Sequence, residues 1–499
     1  DEHRQQSSWL EQQLIFEQLR GHHLLSRDRN VTLDWRYAFS RATRLEPDRR
    51  ETAQGKTGDT YSILQNTNWN ETAWLGLADV NHDAGLDLTV PLLEDAGTRP
   101  GEVKLGFMTV HKERSSSARR FGYAVRGAGG IDLTAPIGDI IVPENIGDDG
   151  DGGAWLSLEE ESSTSDDYNA KQAYYAAYGM ADLPVSRRFR VMAGARMEAS
   201  DQSVSTFELF NPSLVPVDAR LKTVDVLPST LLSWGLGPKD NPDKMILRLG
   251  YGRTVSRPEF RELSDVPYAD FRTNTLYFGN PDLKRARIDN LDLRWEWYPE
   301  QGYSLSVAAF YKHMDDPIEA VASPAAVSNL ASTFANADSA TNVGAELEFR
   351  TNLDWMHPKL KDVYVAGNAS WIYSRVTVPE GGNDTSDVRP LQGQSPWVVN
   401  AQLGYDNPEL AEGVNVALIY NVFGPRILDV GQAGIPDTYE LPVHRLDLVG
   451  TIGVGDGWQL QVRGTNLLDS KVQQRTGENI SYGFKEGVGL YLGAQWVLK

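Results

Sequence analysis

The stretch Asn290-Leu291-Asp292-Leu293-Arg294-Trp295-Glu296-Trp297-Tyr298 puts Leu291, Leu293, Trp295 and Trp297 at every second position. Asp292, Arg294 and Glu296 fill the places between them. Successive side chains of an extended strand point to opposite faces, so this segment reads as a strand with one oily and one charged face.

The pattern recurs along the chain. Tyr303, Leu305, Val307, Ala309 and Tyr311 share one face of the next segment. Val343, Ala345, Leu347 and Phe349 oppose Gly344, Glu346, Glu348 and Arg350. Trp397, Val399, Ala401, Leu403 and Tyr405 oppose Asn400, Gln402, Gly404 and Asp406. Val488, Leu490, Leu492, Ala494, Trp496 and Leu498 close the chain in the same rhythm. Such strands build either a sandwich, whose apolar faces meet each other, or a transmembrane barrel, whose apolar face meets lipid and whose polar face looks into the lumen. Aromatic residues near strand ends, such as Trp295, Trp297, Tyr311, Trp397, Tyr405 and Trp496, match the girdles of a membrane barrel.

Connection lengths separate the two architectures. Short polar connections are expected at 25–29, 93–100, 185–188, 236–244, 299–302, 351–362, 406–413 and 455–457. Long ones alternate with them at 48–75, 128–167, 210–221, 256–286, 313–340, 376–396, 424–443 and 467–486. A barrel has tight periplasmic turns on one rim and long extracellular loops on the other; a sandwich has no reason to keep that order. The fold class is therefore all-β, a large antiparallel transmembrane β-barrel of about 17 strands. The last strand runs toward the periplasm, and backward parity places residue 1 outside. Bacterial single-chain barrels have an even strand number, so the odd count, with no leader at Asp1–Gln6, leads us to expect further strands upstream.

Composition narrows the function. The chain has 499 residues, 48 Lys+Arg against 68 Asp+Glu, a formal net charge of −20 and no cysteine. Mean hydropathy is −0.41, and no apolar run is long enough for a membrane helix. A nucleic-acid partner is disfavoured, because phosphate backbones demand a basic footprint. Between Gly127 and Ala170 there is no Lys or Arg, while Glu144, Asp148, Asp149, Asp151, Glu159, Glu160, Glu161, Asp166 and Asp167 accumulate. That stretch reads as a solvated loop, with a loop-bound divalent cation as the alternative. No other cofactor or metal is expected.

Several segments together resemble the TonB-dependent outer-membrane receptors. They are Tyr251 to Leu263, Gly279 to Lys284, Asn290 to Pro299, Phe310 to Glu319, Gly344 to Glu348, Leu391-Gln392-Gly393-Gln394-Ser395-Pro396, Tyr420 to Ile427 and Asn466-Leu467-Leu468-Asp469. The resemblance implies a 22-stranded barrel around an N-terminal plug. Residues 1–499 are then the barrel portion, with the plug and first strands outside it. It further implies a Gram-negative outer-membrane location, outer-membrane lipid or lipopolysaccharide around the wall, and a TonB complex acting through the plug. The implied activity is active uptake of a scarce extracellular solute: siderophore-bound iron, an oligosaccharide or a vitamin. The alternative is a barrel of the same family acting without transport as a scaffold, with a surface lipoprotein or other complex component as partner. A soluble multi-sheet binding protein is the third reading.

Candidate site residues follow from the faces. Arg248, Asp292, Arg294, Glu296, Glu346, Glu348, Arg350, Asn400 and Gln402 are expected to face the lumen, where they meet a plug or one another. Tyr268, Phe271, Tyr277 and Phe278 are loop aromatics that either touch the solute or pack the loop on itself. Ser256–Phe260 and Asn466–Asp469 read as strand exits. The adjacent His22 and His23 point to opposite faces, which is poor ligand geometry. No His-Glu-x-x-His, Gly-x-Ser-x-Gly or phosphate-loop pattern occurs, so an enzyme is not expected.

Overall fold

The structure is a computed structural model that describes residues 2–64, 70–93, 100–126, 131–147, 155–162, 167–206, 218–264, 268–270, 275–323, 331–378, 385–386 and 388–496. Its wall is a 20-stranded sheet among the described residues, in which 17 strands follow one another and three short ones, Glu2–Ser7, Thr60–Ile63 and Trp155–Glu160, pair at strand ends. The 17 are β1 (Glu11–Ser26), β2 (Val31–Thr57), β3 (Glu71–Leu93), β4 (Gly101–Arg126), β5 (Tyr168–Pro184), β6 (Phe189–Thr206), β7 (Asp218–Gly235), β8 (Met245–Ser256) and β9 (Ala286–Trp297). Then come β10 (Ser304–Asp315), β11 (Ser339–Asn352), β12 (Val363–Thr377), β13 (Trp397–Asn407), β14 (Val414–Phe423), β15 (Arg445–Gly455), β16 (Trp458–Thr465) and β17 (Gly489–Trp496). Each pairs antiparallel with the next in chain order. No pairing joins β1 to β17 among the described residues.

Register carries each face unbroken from strand to strand. Leu249 of β8 lies opposite Leu293 of β9, which lies opposite Ala309 of β10 and then Ala345 of β11. On the other face Arg248 lies opposite Arg294, Glu296 opposite Ser306, and Ser306 opposite Glu348. The apolar face is uncovered: Leu249, Leu291, Leu293, Trp297, Leu347, Leu403, Leu460 and Leu492 are all exposed. A sandwich would have buried them against a second sheet. So broad an apolar surface needs an apolar medium.

Short and long connections alternate as the sequence reading expects, with two differences. The 48–75 segment is mostly strand. Pro47 offers no N–H and Asp48 adopts a left-handed backbone, φ 55°, but the chain absorbs both in a bulge between Glu46 and Arg49. β2 therefore runs on to Thr57, and Thr60–Ile63 folds back on it. The long loops also carry sheets of their own. Tyr268–Asp270, Thr275–Phe278, Ala331–Asn336 and Ile318–Ser323 form one. Arg426–Asp429, Thr438–Glu440, Lys471–Thr476 and Asn479–Lys485 form another. A parallel bridge between Val321 and Val430 links the two, and Val321, Ile427 and Val430 bury together there.

Candidate functional site

The polar face holds a ladder of paired side chains. Arg248 donates to Glu296 at 2.9 Å, and Arg294 donates to the other oxygen of Glu296 at 2.9 Å. Arg294 reaches on to Glu348 at 2.7 Å. Asn421 donates to Asn400 at 2.6 Å, and Asn400 to Asn368 at 2.7 Å. Gln402 donates to the Tyr364 hydroxyl at 2.8 Å, and the Arg350 guanidinium lies 3.9 Å from the Tyr364 ring centre. Gly404 makes room for that ring, since a Cβ there would overlap it. The nine residues expected on the lumen face, Asp292 and Glu346 included, thus share one face of the wall by register.

Above the ladder, the connection leaving β8 folds back over the wall. Its first residue pair is Arg257-Pro258, with Pro258 fully buried. Arg257 donates to Glu198 at 3.0 Å and to Asp225 at 3.0 Å. Arg285, at the far end of the same connection, donates to Asp225 at 2.5 Å. One buried carboxylate on β7 therefore holds both ends of the loop. The helical turn Phe260–Leu263 seats Phe260 and Leu263 against Tyr168, Ala170, Val204 and Ala219. Lys112 and Arg114 each approach the Phe260 ring to 5.5 Å, a cation–π arrangement. Beneath lies a cavity of about 490 Å3, whose walls include Lys112, Tyr174, Arg196, Glu198, Arg257 and Phe260.

The remaining loops are tied into one cap. Glu319 and Arg389 form a bidentate pair at 2.8 and 2.9 Å. Gln392 N–H donates to the same Glu319 at 3.0 Å, and the Gln392 side chain bonds to Ala320 N–H and the Leu428 carbonyl. Gln394 accepts from Asn342 of β11 at 3.2 Å. Asn280 donates to the Phe334 carbonyl at 2.8 Å. Asn466, in a left-handed conformation, accepts from Ser470 N–H and donates to the Gly487 carbonyl. A second cavity of about 410 Å3 opens between the cap and the wall, lined by Phe423, Arg426, Glu440, Arg445, Tyr482 and Phe484 among others. Arg426 pairs with Glu440 at 2.6 Å and lies 4.5 Å from the Phe423 ring centre.

The loop aromatics fall differently. Tyr277 stacks on Phe334 with centroids 6.3 Å apart, inside the first loop sheet. Phe278 pairs by backbone with Thr333 in the same sheet. Tyr268 pairs by backbone with Tyr277, and Phe271 lies outside the described residues. In the acidic stretch, Glu160 accepts from Arg119 at 2.9 Å, Glu159 pairs with Arg126, and Asp167 accepts from Ala118 N–H at 2.9 Å. Asp148, Asp149, Asp151 and Asp166 lie outside the described residues. Among the described residues no group of three or more His, Asp or Glu is arranged to hold a metal. Sequence reasoning missed Glu198, Asp225 and Arg389, whose partners come from distant strands and loops.

Comparison with known proteins agrees with this architecture. The family model described as TonB dependent receptor-like, beta-barrel, matches residues 6–467. No curated protein matches. Among solved structures, the siderophore receptor PiuA from Acinetobacter baumannii is 12% identical, with a TM-score of 0.60, over 98% of this chain and 64% of that one. The ferric-catecholate import receptor Fiu from Escherichia coli K12 is 13% identical, with a TM-score of 0.62, over 98% and 64%. The pyoverdine receptor FpvA from Pseudomonas aeruginosa is 13% identical, with a TM-score of 0.57, over 98% and 62%. The chain thus spans a little under two thirds of the length of these structures.

Proposed function

Because the chain belongs to the TonB-dependent receptor β-barrel family, we propose that it is the wall and loop cap of an outer-membrane receptor for TonB-dependent uptake of a scarce solute. The observation that carries this reading is the inward ladder from Arg248 to Asn421 lying beneath loops tied to one another. A polar lumen face suits a plug or a passing solute, and rigid loops suit capture at the mouth. The outer membrane holds no ion gradient of its own, so energy for release into the lumen must arrive from a periplasmic partner through a plug seated on this ladder.

The solved structures resemble the chain in fold alone at 12–13% identity, so siderophore-bound iron, an oligosaccharide and a vitamin all remain candidate solutes. The two mouth cavities, of about 490 and 410 Å3, lie within the range of small-ligand sites, roughly 300–1,000 Å3. The test is uptake by a deletion strain and its complemented parent, screened on iron chelates, cobalamin and oligosaccharides. We expect one class to lose energy-dependent uptake on deletion and to recover it on complementation. Uptake of every class unchanged, or lost uptake that is indifferent to TonB, would refute the proposal.

A further inference from the structure

One register row crosses the lumen face and changes chemistry on the way. It runs from Glu296 of β9 through Ser306, Glu348, Asn368 and Asn400 to Asn421 of β14 and Arg445 of β15. Up to β11 that face is ionic: β9 places Asp292, Arg294 and Glu296 on it, and β11 places Glu346, Glu348 and Arg350. From β12 to β14 it is neutral. Among the described residues, Asp406 at the foot of β13 is the only charge that register puts on the lumen face of these three strands. Charge resumes on β15 with Arg445, which pairs with Glu486 of the cap, and Asp447, which accepts from Asn466 N–H at 2.8 Å.

The neutral lane is continuous with the mouth. Asn421 lines the cavity of about 410 Å3 between cap and wall, and its amide begins the belt that passes through Asn400 to Asn368. The charges of that cavity are already mated, Arg426 with Glu440 and Arg445 with Glu486. An amide carries two N–H groups and a carbonyl with two lone pairs. The belt uses one N–H of Asn421 and one of Asn400, so donors and acceptors both remain on the lumen side.

We infer that the solute crosses the lumen along β12–β14, over the amide belt, while the ionic sector of β8–β11 is the side on which a plug stays seated. This rests on the uptake reading given above and adds the route. Withdrawing a partner from a desolvated ion leaves that charge uncompensated, whereas amide contacts exchange for water at small net cost. The sector that parts from a plug with least work is therefore the neutral one. Passage also needs contacts firm enough to admit a solute and weak enough to release it. Amides meet hydroxyl, carbonyl and N–H groups alike, with no fixed charge to retain any of them.

The chain has no cysteine, so a single introduced thiol reports on one place. Ser370→Cys on β12 and Asn400→Cys on β13 sample the neutral lane, and Asp292→Cys on β9, exposed on the same face, samples the ionic sector. The full receptor is expressed in intact cells supplied with iron chelates, cobalamin and oligosaccharides together. Labelling by fluorescein maleimide added outside is timed with the proton-motive force intact and collapsed. The two lane thiols are expected to label about fivefold faster or more in energised cells, in step with the open fraction, and the thiol of Asp292→Cys to label at an unchanged rate. Ser370→Cys exchanges one oxygen for sulfur, so it keeps the test in force if Asn400→Cys does not fold, folding being read from heat-dependent gel migration. Acceleration in Asp292→Cys equal to or greater than that in the lane would overturn the inference and leave TonB-dependent uptake standing. Labelling indifferent to energy at all three places in a folded receptor would overturn both.

Discussion

Glu319 and Arg389, 70 residues apart in sequence, meet in a bidentate ion pair whose two side chains are each 2% exposed. The pair joins two separate long loops, and Gln392 extends it to a third through Leu428. Removing one partner of a buried pair leaves the other charge without compensation, which costs about 3–5 kcal/mol. That cost falls on the cap, because the wall strands hold their own hydrogen bonds. Arg389→Ala should therefore keep heat-dependent gel migration while loops 316–338 and 378–396 become sensitive to added protease on intact cells. Loss of the folded gel form would show that the cap and the wall fold as one unit.

Glu296 stands between two arginines, Arg248 and Arg294, each at 2.9 Å. Either arginine alone keeps the carboxylate paired. Arg248→Ala and Arg294→Ala should each cost about 1 kcal/mol or less, given that both arginines are partly exposed. The double variant should cost more than the sum, with a coupling of roughly 1–2 kcal/mol, since Glu296 then keeps neither partner. Urea unfolding in lipid vesicles measures this. Additivity within a few tenths of a kcal/mol would mean that solvent in the lumen already satisfies Glu296.

That ladder was legible before any coordinates, because alternation along a strand is local. Arg248, Arg294, Glu296, Glu348 and Gln402 fall on one face by counting in twos, and antiparallel register keeps them together. Polar Gly, Pro and Asp turns marked the short rim in the same local way. The continuation of β2 past Pro47-Asp48 was not legible, since the same residues mark a turn or a bulge depending on the neighbouring strand. Nor was the parallel pairing of Leu276–Phe278 with Ala331–Thr333, which joins loops more than 50 residues apart. The motifs Arg257-Pro258 and Asn466 stood out in sequence as strand exits, and Gly279-Asn280 and Gln392-Gly393-Gln394 as segments that carry the family resemblance. The structure gives them a shared use that spacing did not reveal: each ties a loop to a wall strand or to another loop, Asn466 through its N–H to Asp447 of β15.

Asp225 accepts from Arg257 and Arg285, the two ends of the connection between β8 and β9. Asp225→Asn keeps the shape and removes the charge. Arg257 retains Glu198, so its end should hold, while Arg285 loses its ion pair with Asp225. Amide hydrogen exchange should then quicken around Arg285 more than around Arg257. Equal quickening at both ends would mean that Glu198 does not hold its end independently.

Glu262 gives the same loop a pH dependence. Burial pushes its carboxyl above the ordinary glutamate range, with a contribution from the nearby Glu259 charge, against a hydrogen bond from Glu259 N–H that lowers it. The folded turn then binds a proton more tightly than the unfolded one. Stability of the turn is fullest below the ordinary glutamate value and declines as pH rises through the elevated one. Hydrogen exchange at Phe260–Leu263, corrected for its intrinsic pH dependence, should show weaker protection above that range. Glu262→Gln should flatten the profile. A wild-type profile already flat would place Glu262 in contact with water.

Deletion of residues 140–165 separates wall from cap on the other side of the mouth. Trp155–Glu160 pairs with the upper end of β4, from Phe121 to Arg126, and bridges to Ile146, which the deletion also removes. Ile140 and Leu156 bury with Ile63 in a small cluster above the band. The lower part of β4 keeps both neighbours, pairing with β3 and with β5 from Glu102 to Ser116. The shortened chain should therefore assemble and show the folded gel form. Its exposed β4 end, now an unpaired edge on one side, should be cut by protease between Phe121 and Arg126, where the parent is protected. Solute binding should change if the mouth on this side takes part in capture. A chain that fails to assemble would mean that the cluster around Ile140 and Leu156 supports the wall itself, and the 140–165 segment would then be structural.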